Sequence, residues 1–469
     1  MNAPSFKFMR LVSPEKLLLI FIGIVFALGG ASRADVWSLI ILRPLAVVLL
    51  IYALVSLPAQ SWRENRGILL LAAAWVGLVA LHLIPLPPQI WESFPGRELV
   101  VRIDTAVGTS GLWRPLSLVP HRTINALLSL SVPLAALLIA LSLSPKKLNL
   151  TIYACMIAAF VSAIFGLLQV IGGPNNIFYL YDVTNSGSAV GLFSNRNHNA
   201  MLLALALPLV AASASLFPTT KEFARARQWL SVGIGILLLP FLLVTQSRAG
   251  IVLGLVGIAA AVWVYRTPEG AQQRRKRDIK VYTRWSGAIL AIAGIALATL
   301  MMTGGNALER LMRTGSSDDE LRLQIWGPIA RLAMDFLPYG SGIGSFEEVY
   351  RIGEPTELLQ PQYINHAHND FLEILLTGGV PAVALLTLAA IVFLRRGFGL
   401  LKAERSDTAI VRRRLGLSVI AILMIASLYD YPLRTPSLAV VFALAVAWFA
   451  GSARQSFRQP SPERRVAQA

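Results

Sequence analysis

The sequence predicts an all-α polytopic membrane protein, and three features of its composition lead to that prediction. Hydrophobic residues make up 55% of the 469 residues, charged residues only 14%, and the mean hydropathy is +0.62. A soluble domain carries about 25% charged residues. Most of this chain is therefore apolar helix, which indicates one integral membrane domain over 1–469 rather than a soluble or disordered protein.

The predicted spans follow from length and hydropathy. A helix that crosses a bilayer needs about 20 mostly apolar residues. The first candidate could pass for a signal peptide, but the further candidates behind it favour a retained helix. The prediction of about twelve transmembrane helices consists of 17–31, 38–57, 68–85, 123–143, 148–171, 199–217, 228–245, 249–265, 286–302, 371–394, 413–428 and 436–451.

The basic residues predict the orientation. Lys and Arg number 42 against 25 Asp and Glu, a net charge of +17 that on a soluble protein would suggest nucleic acid. Here Lys and Arg concentrate in the segments that face the cytoplasm if both termini are cytoplasmic, as the positive-inside rule requires. The basic run at 274–277 then faces anionic membrane lipid, and no nucleic-acid partner is predicted. Arg43 is the main charge inside a span.

Several classes of chemistry are excluded. Cys155 is the single cysteine, so an internal disulfide or a cysteine zinc site is impossible within the chain. The sequence has no P-loop and no dinucleotide-binding fingerprint. We therefore predict no nucleotide cofactor.

Two long loops, 86–122 and 303–370, fall on the extracytoplasmic side, and all five histidines lie on or near that side. The second loop has a helix of its own. Ser317 and Glu320 form a capping-box pattern. Behind it, an apolar stripe at helical spacing predicts an amphipathic helix that lies on the membrane surface or caps a cavity. The stripe consists of Leu321, Ile325, Trp326, Ile329, Leu332, Ala333 and Phe336.

Four polar segments could carry chemistry. They are 195–199 with Arg196 and His198, 245–250 with Arg248, 322–326 with Arg322 and Trp326, and 366–370 with His366, His368 and Asn369.

Each segment also has a purely structural interpretation. Arg196 and Arg248 could be interfacial arginines that reach lipid headgroups, and Arg322 could simply face water. His198 could be a polar helix cap. Asp430, between two tyrosines, is interpreted as an ordinary turn residue.

A metal site is considered and not predicted. His366 and His368 have the spacing of a metal-binding pair, and Asp370 and Glu373 could add ligands. Two histidines do not make a zinc site, and carboxylates at a helix start have an ordinary role there.

The combination is more informative than its members. Arginines bind phosphate oxygens bidentately and stay charged. A histidine with a pKa near 6.5 can accept a proton at neutral pH. Arginines and a histidine at one membrane face, beneath an amphipathic helix, could hold a lipid diphosphate and deprotonate a hydroxyl.

In sequence order, these motifs resemble those of the O-antigen ligase and O-antigen polymerase superfamily of bacterial envelope enzymes. The resemblance rests on Gly191–Asn199, Thr245–Gly250, Arg322–Trp326 followed by Pro338–Gly344, and above all His366–Glu373 with Gly378 and Gly379 behind it. The resemblance implies a membrane-embedded glycosyltransferase of the C type (GT-C), with a large periplasmic loop between the late spans.

The resemblance also implies substrates and location. The donor would be a glycan on undecaprenyl diphosphate, and the acceptor would be a lipid A-core sugar for a ligase or the next glycan repeat for a polymerase. The enzyme would lie in the bacterial inner membrane with its active site in the periplasm, and would invert configuration without metal or cofactor. The ligase pattern of His-Asn followed by Gly agrees with His368, Asn369 and Gly379, but Ala382 departs from it mildly, so the choice stays open.

Carried over residue by residue, the resemblance makes His368 the base that activates the acceptor, with His366 as the alternative. Arg248 would bind the diphosphate, with Arg196 second and Arg322 third. Asn369 would orient the histidine or the sugar, and His198 and Trp326 complete the predicted substrate-binding set. A lipid-linked oligosaccharide flippase and a scaffolding membrane subunit are the alternatives from other classes.

Overall fold

The computed structural model describes residues 13–216, 221–266, 317–359, 363–401 and 407–451. The sheet seen in these ranges is a short antiparallel pair, β1 (Pro85–Leu86) and β2 (Arg114–Pro115). The predicted span 286–302 and the basic run at 274–277 lie outside the described residues.

The rest of the described chain is helix and connecting loop. The early helices are α1 (Pro14–Leu28), α2 (Leu39–Ser56), α3 (Ala59–Glu64), α4 (Arg66–Leu81), α5 (Pro88–Trp91), α6 (Glu98–Ala106), α7 (Pro120–Ser129), α8 (Ser131–Ser142), α9 (Pro145–Leu148) and α10 (Leu150–Gly172). The later ones are α11 (Arg196–Ser215), α12 (Lys221–Val244), α13 (Arg248–Val264), α14 (Ser317–Asp335), α15 (Phe346–Gly353), α16 (Asp370–Leu401), α17 (Thr408–Ala426) and α18 (Pro436–Ala450), with 3₁₀ turns at Thr356–Leu358 and Pro432–Arg434.

Six helical stretches are long and apolar enough to cross a membrane, which confirms a multi-pass membrane protein; the exact number of spans stays a prediction. The six are Leu39–Ser56, Pro120–Ser142, Pro145–Gly172, Arg196–Ser215, Ala224–Val244 and Asp370–Leu400. Shorter apolar helices occupy Arg66–Leu81, Arg248–Val264 and Pro436–Ala450.

Helix α11 lies at the centre of the bundle. Of its apolar window, 94% is buried by protein, and small and apolar side chains allow this close packing on all sides. It packs against α10, α12, α13 and α17. The first residues of α11 therefore lie beside the ends of several neighbouring helices. The polar segments that could carry chemistry lie at these helix ends.

The amphipathic helix predicted in the second loop is confirmed as α14, although the side chains of 317–321 lie outside the described set. Ile325, Ile329 and Ala333 are fully buried along one stripe. The stripe packs in a second apolar core with α15, Ala367 and Leu376. Protein therefore covers this face of α14, which lies over the loop that carries His366 and His368.

The segment after α14 is fixed against α16 by backbone contacts that need glycine. Gly379 has φ +60° inside α16, and a Cβ there would clash with the carbonyl oxygen of Pro338. Val380 N–H donates to Pro338 O (2.8 Å), and Gly342 N–H donates to Thr377 O (2.8 Å). The kink at Gly379 thereby ties the 338–344 loop to the first turns of α16, just behind the two histidines.

Candidate active site

His366 lies in a tight network at the start of α16. Its Nδ1 is 3.2 Å from both carboxylate oxygens of Glu373. The same carboxylate accepts from the backbone N–H of Ala367 (3.1 Å). Trp326 Nε1 donates to Ala367 O (3.0 Å), so α14 holds this loop from the other side.

Arg434 completes that network, and no sequence pattern singles it out. Its Nη2 is 3.2 Å from Glu373 Oε1, and its Nε is 3.2 Å from Asp370 Oδ1. Ser427 Oγ also donates to Asp370 (3.0 Å). These contacts anchor the start of α16 to the connection between α17 and α18.

His368 lies against a different carboxylate. Its Nδ1 is 3.6 Å from Oδ1 of Asp430, which is completely buried. His368 has φ +50°, a conformation that costs a non-glycine residue about 1–3 kcal/mol. Within the described residues neither ring nitrogen of His368 has a hydrogen bond, but Nδ1 is buried, which leaves Nε2 as the nitrogen that a substrate could reach.

Asp430 is held by hydrogen bonds from two sides. Asn197 Nδ2 donates to Oδ2 (2.8 Å), and the backbone N–H of Tyr431 donates to Oδ1 (2.9 Å). Ser247 Oγ donates to Asn197 Oδ1 (2.8 Å) and caps α13 by accepting from Gly250 N–H (2.9 Å). The interpretation of Asp430 as an ordinary turn residue is wrong, because it joins α11, α13 and the His368 loop.

His198 is also part of this group, and it is not the cap of α11. The cap is Asn195, whose side chain accepts from Asn197 N–H (2.8 Å). His198 has no exposed surface; its Nδ1 is 3.0 Å from Thr435 Oγ1, and its Nε2 is 3.8 Å from Asp430. We call Asn197, His198, His368, Asp430 and Tyr431 the Asp430 cluster.

Tyr431 fills the space between the three histidines. Its ring centroid lies 4.3 Å from that of His366, 4.9 Å from His368 and 5.4 Å from His198. Burial raises the pKa of its phenol, so the hydroxyl stays protonated. Tyr431 therefore packs the imidazoles in place and adds no charge at neutral pH.

Burial and charge set the protonation of the His368–Asp430 pair. Burial lowers the pKa of His368 even though the Asp430 carboxylate works to raise it. Burial alone would raise the pKa of Asp430, but the neighbouring imidazoles and the Arg322 guanidinium hold it well below its usual range. The pair is therefore a neutral imidazole beside a carboxylate, the protonation state that a general base needs.

The three predicted arginines lie around this cluster, and two of them open helices that meet it. Arg196 is the first residue of α11 and precedes Asn197, and Arg248 is the first residue of α13 and follows Ser247. Asn197 and Ser247 are hydrogen-bonded to each other. Arg322 lies on α14, and its charge lowers the pKa of both His368 and Asp430.

Three helices begin at this cluster. The first residues or caps of α11, α13 and α18 are joined to it through Asn197, Ser247 and Thr435. The helix α16 begins two residues after His368, and its first residue Asp370 bonds to Ser427 instead. A helix N-terminus carries a partial positive charge, which favours a bound anion.

The polar groups of Asn369 and Trp326 are engaged within the protein. Asn369 Oδ1 accepts from Leu372 N–H (3.1 Å) and thus caps the first turn of α16, while Trp326 supports Ala367 as described. Among the described residues, no group of three or more His, Cys, Asp or Glu side chains could hold a metal ion.

The sequence prediction missed Asn197, Asp430, Tyr431 and Arg434. Asn197 lies in the polar segment 195–199, but the predicted functional residues of that segment were its neighbours Arg196 and His198. An acidic residue at the outer end of a span, in a chain with few acidic residues, was the available signal for Asp430.

Comparison with known proteins bears on the same region. Residues 233–387 match the family model described as O-antigen ligase, which is about a third of the chain. The matched segment contains Arg248, Arg322, Trp326, His366, His368 and Asn369, while Arg196, His198 and Asp430 lie outside it. No curated protein matches the chain. The match confirms the resemblance to the O-antigen ligase and polymerase superfamily and supports glycan transfer of that general type.

Proposed function

We propose that the protein transfers a glycan from undecaprenyl diphosphate to a hydroxyl acceptor at the periplasmic face of the bacterial inner membrane. The match of residues 233–387 to the O-antigen ligase family model supports this proposal. The observation that carries this proposal is His368 beside the buried Asp430, close to the N-termini of α11, α13 and α18. A base and an anion-binding environment are thereby brought to one end of the bundle.

In the proposed reaction, Nε2 of His368 accepts the proton of the acceptor hydroxyl as its oxygen attacks the anomeric carbon of the donor sugar. The bond from that carbon to the diphosphate oxygen breaks, and its electron pair leaves with undecaprenyl diphosphate. Asp430 stabilises the imidazolium until it releases its proton to water. A positioned base of this kind contributes about 10²–10⁴ to a rate. A single displacement of this kind inverts the sugar.

The arginines bind the leaving group. Arg248 and Arg196 head the two helices whose N-termini are joined by the Ser247–Asn197 hydrogen bond, so a diphosphate there would meet guanidinium and backbone donors together. Such preorganised donors stabilise charge that develops on the departing oxygen. Arg322, on the helix above, is the third contact.

His366 is assigned a supporting role, since its Nδ1 is engaged by Glu373, and Glu373 is bound to Arg434. His198, fully buried, positions Asp430 rather than contacting substrate. Asn369 and Trp326 hold the loop that carries His366 and His368, through hydrogen bonds to Leu372 and Ala367. We propose the ligase, which joins polysaccharide to lipid A-core, ahead of the polymerase, because the spacing from His368 to Gly379 fits the ligase pattern.

The decisive experiment measures free undecaprenyl diphosphate released by purified protein from a lipid-linked glycan, with and without acceptor. The His368→Ala variant should lose activity, while His121→Ala, which alters an exposed histidine on α7, should keep it. Glycan that crosses vesicles without diphosphate release would overturn the proposal in favour of a flippase.

The choice of acceptor needs a separate experiment. The wild type is expressed in two strains, one lacking its ligase and one its polymerase, each making a matching glycan. Polysaccharide on lipid A-core in the first strain alone identifies a ligase. A longer glycan ladder in the second alone identifies a polymerase and contradicts the assignment preferred here.

A further inference from the structure

A cavity of about 510 Å³ lies at the first turn of α2, away from the Asp430 cluster. It is lined by 34–37, Leu39, Ile40, Arg43 and Pro44, and shares no residue with the proposed catalytic machinery. Its walls are largely apolar. This volume is within the range of about 300–1,000 Å³ that small-molecule sites occupy.

Arg43 places a positive charge in this cavity inside an apolar span. Its Nη2 donates to the neutral Asn125 Oδ1 (2.6 Å), and its buried Nε has no hydrogen-bond partner within the described residues. No described carboxylate forms an ion pair with it. Asp35 lines the same cavity, but it is engaged by Arg33 (2.6 Å). The Arg43 charge is thus uncompensated by protein, and an ionisable group in a span marks a functional site by default.

The cavity is open to the outside of the protein. Trp37 is 60% exposed and Ile40 is 76% exposed, although both are large and apolar. Arg43 is about one turn along α2 from these residues, or about 6 Å by the helical rise. A ligand that fills the cavity must therefore offer an anion for Arg43 and an apolar chain for Trp37 and Ile40.

The cavity lies at the same end of the bundle as the Asp430 cluster. The connection from α1 to α2 begins at Gly29 and Gly30, whose carbonyl oxygens accept from Ser437 N–H and Ser194 N–H. Those serines flank the starts of α18 and α11. A lipid in the cavity would thus lie in the leaflet next to the cluster.

We propose that this cavity is a binding site for a membrane phospholipid, with the phosphate paired to the guanidinium group of Arg43 and an acyl chain against Trp37 and Ile40. A guanidinium and a phosphate form charge-assisted hydrogen bonds, and such bonds are stronger in an apolar surrounding than in water. The site is independent of glycan transfer, so its test uses binding alone.

The test follows thermal unfolding of the purified, delipidated full-length protein while lipid is added. Dioleoyl-phosphatidylglycerol should raise the melting temperature in a saturable way. Dioleoylglycerol, which has the same chains and no phosphate, should have at least about tenfold lower apparent affinity, the effect of losing one charge-assisted hydrogen bond of about 1.5 kcal/mol or more. Inorganic phosphate alone should give no shift at the same concentrations.

Variants then locate the site. Arg43→Gln should reduce the affinity for phosphatidylglycerol at least about tenfold, and Arg43→Lys should recover part of it. Arg102→Gln, a matched loss of one exposed arginine on α6, should leave it unchanged. If the wild type binds phosphatidylglycerol and dioleoylglycerol equally well, the proposal is overturned. This outcome does not depend on whether any variant folds. Unchanged affinity in Arg43→Gln also overturns it, and so does a saturable shift with inorganic phosphate alone that is lost in Arg43→Gln.

Discussion

The two histidines before α16 each face a buried carboxylate, yet the two pairs are built differently. Glu373, the partner of His366, is also bound by Arg434 and by the backbone of Ala367. Asp430, the partner of His368, is bound by the neutral Asn197 and a backbone N–H, with the Arg322 charge acting from α14. One carboxylate is neutralised by direct contact with an arginine, and the other is not.

In the proposed mechanism, that difference separates a structural pair from a catalytic one. A carboxylate that already forms an ion pair has less negative charge to offer an imidazolium, so the His366 pair serves to fix the loop. Because no arginine contacts Asp430 directly, its negative charge can stabilise a protonated His368. His368 has a strained backbone, and strained residues cluster at functional sites.

The largest expected effect comes from His368→Ala. We expect kcat for glycan transfer to fall about 10²–10⁴-fold, since the base is removed. His366→Ala should cost at least tenfold less in kcat. A glycan-transfer assay at saturating donor measures both, and equal losses would remove the distinction drawn between the two pairs.

Asp430→Asn should have the next largest effect, a loss of about 10–100-fold in kcat, because a charge-assisted contact to the imidazolium contributes about 1.5–3 kcal/mol. Asparagine has nearly the same shape, so the fold should persist. A matched Glu373→Gln change should leave kcat of the folded fraction within about threefold of wild type. A greater kcat loss for Glu373→Gln than for Asp430→Asn would reverse the roles.

The pH dependence sharpens the comparison further. His368 acts as a base only when neutral, and because burial lowers its pKa, the acid limb of kcat/KM should have its midpoint below about pH 6.5, the ordinary value for histidine. Asp430 works to raise this pKa, so Asp430→Asn should move the acid limb to lower pH. Glu373→Gln should leave the limb in place. A limb that moves to higher pH in Asp430→Asn would contradict the pairing of His368 with Asp430.

The smallest effect on turnover and the clearest on stability are expected for Glu373→Gln itself. The variant weakens the contacts of Glu373 with His366 and Arg434, while Arg434 keeps Asp370. We expect a loss of about 1–3 kcal/mol in stability, seen as a lower melting temperature in a fixed detergent. A melting temperature equal to that of wild type would show that this network does not hold the loop.

Hydropathy predicted that the described apolar segments are helices, but it did not predict where they pack. The 18-residue windows of α11 and α12 have similar mean hydropathies of 1.4 and 1.7, yet 94% of the first and 11% of the second is buried by protein. Lipid chains are as apolar as Leu, so composition does not distinguish a helix surrounded by protein from one surrounded by lipid.

The residues themselves determined the class of molecule, the amphipathic α14 and the resemblance to the O-antigen ligase family, because hydropathy, helical spacing and ordered motifs are properties of the linear chain. Tertiary structure decided the rest. Asp430 lies 62 positions after His368 along the chain, and it becomes that residue's partner only when α17 and α18 close against α11 and α16. The orphaned Nε of Arg43 likewise depends on the packing around α2, since a sequence shows a charge but not whether a carboxylate reaches it.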